Sequence, residues 1–446
     1  MDAHLIDSAV FGHSWSTELS RTVFGERQRM NRWVQILIAL ARAQAEVGII
    51  PRESATAIEA LDAAEIDIEA VAVGTRETSH STLGLIQVLR RELPSPAGEH
   101  IYYGATVQDV TDTSLALEMR AIGDQLRGDL SEIERQLLQL AVEHRATPML
   151  GRTHGQPGAP ITFGFKVASW ADEIGRQRER VEQMLDRCVV GQLGGAVGAL
   201  GFFGPQALAL RQAFCAELDL TEPTISWLTA RDRLAEFANV AAMTTAMLAR
   251  IANEVFGLQR QELGEVAEAT SASTVGSITM PHKRNPESSE QIVTLSRLVR
   301  AQAGVLTETM VQEHERDARG WKAEWVAFPE LCHYTMAATS LSLSLIAGLE
   351  VRDDVMLSNL TEASATTSEQ LLSHLARELG KHQAQALLQA AFVEVRTNGG
   401  TLLDLLRDHI SPSEFDTVTQ IDVGVAPEMV DLVVDRASQR QIGAKN

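Results

Sequence analysis

LALEMRAIGDQLRGDLSEIERQLLQL, residues 115–140, sets Leu115, Met119, Ile122, Leu126, Leu130, Ile133, Leu137 and Leu140 three or four positions apart. That spacing falls on one face of an α-helix, and it is sustained for about seven turns. Outward along the chain the pattern recurs. Phe237, Val240, Met247, Ile251, Val255 and Leu258 form a second stripe, and Ile292, Leu295, Val299, Ala303, Leu306 and Met310 a third. Three helices of roughly 25 to 35 residues in mid-chain imply a bundle. Upstream, Arg29 to Val47 reads as an amphipathic helix ended by Gly48 and Pro51. Downstream, SEQLLSHLARELG and GTLLDLLRDHI suggest a small helical C-terminal domain. The expected organisation is all-α, with an N-terminal helical domain over 1–105, a central long-helix domain over 106–350 and a small helical domain over 351–446.

Composition agrees with helices. Of 446 residues, aromatics supply only 5% and proline 13 positions, which excludes an all-β chain. The 39 Lys and Arg are outnumbered by 59 Asp and Glu, giving a net charge of −20, so no nucleic-acid partner is expected. An anionic ligand would need locally concentrated donors and cations. Cys188, Cys215 and Cys332 lie far apart with no CxxC pair, which argues against a disulfide framework or a thiolate metal site and suits the cytoplasm. The opening MDAHLIDSAVFGHSW lacks a basic stretch followed by an apolar run, so no secretory leader is expected. The longest uncharged stretch, Tyr334 to Leu349, is shorter than the roughly 20 apolar residues of a bilayer helix, so no membrane partner is expected.

Polar, glycine-punctuated segments separate the helical stripes. GATVQDVTDT puts Thr106, Gln108 and Asp109 just ahead of the first long helix, where N-terminal amides favour a bound carboxylate, although Thr and Asp are also ordinary helix caps. GRTHGQPGAP, a glycine-rich break, offers the cation of Arg152, the hydroxyl of Thr153 and the titratable ring of His154. His80 lies in ETSHSTLG. Gln192, in GQLGGAVG, is either a ligand or a residue where backbones pass closely. GSITMPHKRNP groups Ser277, Met280, Lys283 and Asn285, with Glu290 five residues further on, and reads alternatively as a solvated loop capping the helix that begins near Pro286.

GATVQDVTDT, GRTHGQP and GSITMPHKRNP, in this order, resemble the three signature regions of the fumarase/aspartase superfamily, whose third block is GSSxMPxKxNP. FGHSWS, VFGERQRMNRWVQILIALARAQAEVGIIP, TARDRLAEF and HERDARGWKAEW look most like the branch holding 3-carboxy-cis,cis-muconate cycloisomerase and adenylosuccinate lyase. The resemblance implies an all-helical subunit of three domains, a homotetramer built around a twenty-helix core, and active sites to which three chains each bring one block. It implies no metal and no organic cofactor.

The reaction it implies is a reversible anti elimination through an aci-carboxylate. By position, Ser277 matches the catalytic base, Lys283 and Asn285 the groups that hold the substrate carboxylate and its developing dianion, and Thr106 and Gln108 further carboxylate-binding positions. His154 matches the general acid or proton relay, with Glu290 as its orienting carboxylate, and His80 a histidine that helps protonate the leaving group. Arg152, Thr153, Gln192, Met280 and Arg316 complete the substrate-binding set, Arg316 and Lys322 being suited to an extra carboxylate. Two departures stand out: Ile278 replaces the second serine of the loop, and Gly320, Trp321, Lys322 and Trp325 occupy the places where adenylosuccinate lyases carry a Ser-rich, phosphate-gripping stretch. The expected activity is therefore a lyase acting on a succinate-like, N-substituted aspartate or related polycarboxylate. The cycloisomerase is the alternative, and adenylosuccinate lyase or a purely structural role come behind it.

Overall fold

The computed structural model describes residues 4–270, 278–280, 282–363, 368–411 and 420–443. Ser277, the expected base, lies outside the described residues. Helices make up 70% of the structure, so the all-α reading holds.

Ten helices matter here: α1 (Glu26–Glu46), α2 (Ile68–Thr78), α3 (Val107–Glu143), α4 (Phe163–Cys188), α5 (Asp232–Gln259), α6 (Glu287–Glu308), α7 (Ala318–Ala347), α8 (Ser368–Leu379), α9 (Lys381–Asn398) and α10 (Ala426–Gly443). The three apolar stripes correspond to α3, α5 and α6. Two further long helices, α4 and α7, correct the expectation of three. The stripe of α4 is interrupted by buried Gln177, and α7 holds Pro329 and is buried continuously from Leu331 to Thr339, so no single apolar face shows. Among the described residues no helix is long and apolar enough to cross a membrane.

A second correction concerns the glycine-rich break at 151–160. It is a β-hairpin, with β1 (Pro148–Thr153) antiparallel to β2 (Gln156–Thr162) and Thr153 paired with Gln156. The two turn residues, His154 (φ 54°) and Gly155 (φ 72°), both take the left-handed conformation that a tight two-residue hairpin turn requires. At Gly151 a Cβ would lie 2.6 Å from the Ala159 carbonyl oxygen, so the strand pairing itself demands glycine there.

The chain divides into two compact units. The first comprises residues 1–129, 177–249 and 291–341. Its core is built on α1, where Trp33, Val34, Ile36, Leu37 and Leu40 are buried with Ile58, Leu85, Leu89, Phe203 and Phe214. Each such side chain removed from water contributes about 1.5–3 kcal/mol. Helix α1 stops at Gly48 (φ 77°), where the Ile49 N–H turns back to the Gln44 carbonyl, the expected glycine stop. The second unit comprises residues 130–176, 250–290 and 342–446. In it Leu130, Ile133 and Leu137 of α3 are fully buried. Val266–Ala267 pairs antiparallel with Glu350–Val351. Leu371, Leu375, Leu388, Leu402 and Leu406 form a separate apolar cluster through α8 and α9.

Candidate active site

In the first unit α3 begins at Val107, so Thr106 precedes it, while Gln108 and Asp109, expected just ahead of the helix, lie in its first turn. Asp109 fastens that start to the glycine-rich segment: its carboxylate accepts the N–H groups of Thr106 (2.9 Å), Gly194 (2.7 Å) and Gly195 (3.0 Å). Burial pushes this carboxyl up to about 7, against those three donors.

With the helix start fixed, polar side chains converge on Arg316. Its Nη1 donates to the Thr106 hydroxyl at 2.7 Å and its Nε to Gln108 Oε1 at 3.3 Å. The Gln108 amide nitrogen donates to the Leu228 carbonyl at 2.6 Å, which fixes the amide so that its oxygen faces the guanidinium. Tyr102 hydrogen-bonds through its hydroxyl to Thr82 and Thr106, and burial pushes that phenol up to about 12. His80 Nδ1 lies 3.4 Å from the Thr82 N–H and 3.5 Å from its hydroxyl. Four residues singled out in the sequence, His80, Thr106, Gln108 and Arg316, thus share one network with Tyr102 and Thr82, which sequence reading missed. Thr82 lies within ETSHSTLG and Tyr102 just ahead of GATVQDVTDT, but only the fold brings residues 82, 102 and 316 together. A guanidinium flanked by a hydroxyl and a phenol, partly withdrawn from water, can hold a carboxylate.

Behind this network lies a buried ionic cluster. Arg231 makes two bonds to Asp112 (2.8 and 3.1 Å) and two to Glu324 (2.9 and 2.5 Å), all three side chains being almost wholly out of solvent. Burial opposes the Arg231 charge, and the two carboxylates outweigh it and raise its pKa. Burial likewise pushes Asp112 and Glu324 up, against the pull of Arg231. Asp112, Arg231 and Glu324 come from three distant segments, so the sequence gives no sign of the cluster.

Gln192 is fully buried: its Oε1 accepts the Trp227 main-chain N–H at 3.0 Å, its main chain exchanges bonds with the Thr113 hydroxyl, and Trp227 adjoins Leu228, whose carbonyl accepts the Gln108 amide.

In the second unit Arg152 is held bidentately by buried Glu265 (2.6 and 2.9 Å), which also accepts the Asn359 amide. Thr153 and His154 are exposed at the hairpin end. Met280 and Lys283 are exposed, and the Lys283 N–H turns back to the Met280 carbonyl at 3.0 Å. Asn285 donates to Glu287, and Glu290 is exposed in the first turn of α6. Glu268 caps that helix by accepting the Ser288 and Ser289 N–H groups at 3.0 and 2.9 Å, so this helix terminus already carries a carboxylate.

Comparison with known proteins gives consistent matches. A family model described as lyase matches residues 16–301. N-acetyl-S-(2-succino)cysteine lyase of Dickeya dadantii (strain 3937) is 36% identical over 97% of this chain and 98% of its own length. The 3-carboxy-cis,cis-muconate cycloisomerase of Pseudomonas aeruginosa is 36% identical over 83% of this chain and 82% of its own. The crystal structure of 3-carboxy-cis,cis-muconate lactonizing enzyme from Pseudomonas putida superposes with a TM-score of 0.89 at 30% identity, covering 97% of this chain and 99% of that one.

Proposed function

Since the chain belongs to the lyase family, and with it to the fumarase/aspartase superfamily, we propose that this lyase eliminates a nitrogen- or sulfur-borne group from a succinate-like polycarboxylate and releases fumarate or an analogue. The observation that carries the reading is the Arg316 guanidinium held between Thr106 and Gln108, in a chain whose relative acts, by its name, on a succinyl group carried by cysteine.

The hard step is removal of a proton from carbon beside a carboxylate. The electron pair left behind enters that carboxylate as an aci-carboxylate dianion, then returns to form the double bond as the bond to nitrogen or sulfur breaks. The leaving atom departs with its pair and takes up a proton, so it leaves neutral. Ser277 is assigned as the base, Lys283 and Asn285 as donors to the dianion, His154 with Glu290 as proton relay, and His80 as the proton source for the leaving group. Arg316, Thr106 and Gln108 hold the distal carboxylate. Preorganised donors of this kind are worth about 3 to 4 kcal/mol of barrier each. His80 and His154 belong to separate units and Ser277 to a third block, and we assign the complete site to a homotetramer in which neighbouring copies each bring one of them. The described cysteines are unpaired, and the cytoplasm is the compartment we assign.

The second reading is lactonisation of 3-carboxymuconate, favoured by the cycloisomerase relative and by Trp321 and Trp325 in the place of a phosphate-gripping stretch. Incubation with fumarate and either a thiol or an amine, followed by the fall in fumarate ultraviolet absorbance, tests the elimination. Turnover of 3-carboxymuconate alone would overturn it in favour of lactonisation.

A further inference from the structure

The first unit holds a cavity of about 390 Å³ that the residues assigned above do not fill. Its walls are largely aromatic and aliphatic: Trp33 of α1, Val71 of α2, Leu115 of α3 and Trp321, Trp325 and Phe328 of α7. Trp321 and Trp325 meet edge to face at 5.0 Å, and Trp325 is 41% exposed. Asp112 and Glu324 line the cavity, as does Ser81, the neighbour of His80. Asp112 is bonded to Gln108, which in turn faces Arg316. The cavity therefore starts where the carboxylate-holding network stops.

Size and charge restrict the occupant. Water or ammonia would leave such a volume almost empty, whereas ligand sites of about 300–1,000 Å³ enclose most of an organic molecule. The lining carries two guanidinium groups, Arg29 and Arg76, and four carboxylates, Glu26, Asp112, Glu118 and Glu324. Glu118 is paired with Arg32, while Asp112 and Glu324 share the single guanidinium of Arg231, so acidic groups outnumber basic ones on the cavity wall. A secondary amine in its ammonium form, before elimination, or the free amine once protonated again after release, complements that wall, and indole faces favour the same positive charge.

We propose that this cavity receives the leaving group of the elimination, and that this group is an amine with an aromatic or branched aliphatic body. The inference rests on the elimination reading for its reaction and on the cavity for its specificity, and the two fail separately. The test compares aspartate, N-methylaspartate, N-benzylaspartate and N-acetyl-S-(2-succinyl)cysteine as substrates by fumarate release, and measures benzylamine binding without turnover by tryptophan fluorescence. N-benzylaspartate should exceed aspartate in kcat/KM at least tenfold. Trp325→Ala should reduce that ratio and weaken benzylamine binding tenfold, and Trp325→Phe should restore both. Equal turnover of aspartate and N-benzylaspartate, preference for the anionic thioether, or benzylamine binding indifferent to Trp325 would overturn the cavity assignment. Trp325-dependent benzylamine binding without fumarate release from any substrate would uphold the cavity and remove the elimination.

Discussion

A guanidinium such as that of Arg316 keeps its charge at every working pH, and its fork fits a carboxylate in a way that lysine's point charge does not. Arg316→Leu should therefore raise KM for the dicarboxylate about ten- to hundredfold, the equivalent of the roughly 1.5–3 kcal/mol of a charged hydrogen bond. Steady-state kinetics read this, and an unchanged KM would take Arg316 out of the site. Arg231 acts through the fold instead. Its removal in Arg231→Met would strand Asp112 and Glu324 as buried carboxylates without a cation, at a cost of about 3–5 kcal/mol visible in the denaturant midpoint. Side-chain chemistry of the first kind is legible in a sequence because Thr106, Gln108 and Arg316 stand in recognisable segments. The second kind is not, since Asp112, Arg231 and Glu324 look like ordinary helix-surface charges until folding buries them.

Helices declare themselves when one face is apolar and the others are wet. That condition made α3, α5 and α6 readable and hid α7, whose buried stretch has no wet face. Docking of α7 against helix Glu18–Phe24 adds a pH dependence. His333 is buried, its Nδ1 lies 2.9 Å from the Ser20 hydroxyl, and its ring meets Phe24 edge-on at 5.3 Å. Burial first, then Arg21 and His4, push its pKa from 6.5 down to about 4. Between those two values the unfolded chain binds a proton that the folded one refuses, so stability is present above 6.5 and is lost as pH falls toward 4. Replacing the ring in His333→Gln should flatten that slope, measured by denaturation from pH 7 to pH 4. The turn leading into α3 is just as constrained: at Gly104, with φ 73°, a Cβ would fall 2.3 Å from Phe202 and 2.6 Å from Phe203. Gly104→Ala should cost about 1–3 kcal/mol and displace Thr106, lowering both the unfolding midpoint and kcat/KM.

At the scale of the molecule, the two units each hold part of the proposed catalytic set. His80, Thr106, Gln108 and Arg316 belong to residues 1–129 and 291–341, whereas Arg152, His154, Lys283 and Glu290 belong to residues 130–176 and 250–290. The motif blocks were legible in the sequence, while the expectation that neighbouring copies bring them together came from the family resemblance alone, because spacing along a chain carries no information about neighbouring copies. If copies share sites, Ser277→Ala and His154→Asn proteins, each inactive alone, should regain a measurable fraction of activity after being unfolded together and reassembled. Failure of reassembled mixtures that sediment like the parent would assign all three blocks to one chain. The tryptophan pair of α7 supplies an optical consequence. Two indoles held 5.0 Å apart and nearly perpendicular, at 79°, couple their electronic transitions, so near-ultraviolet circular dichroism should carry a split band that collapses when an occupant rotates the outer ring, reporting arrival without any label.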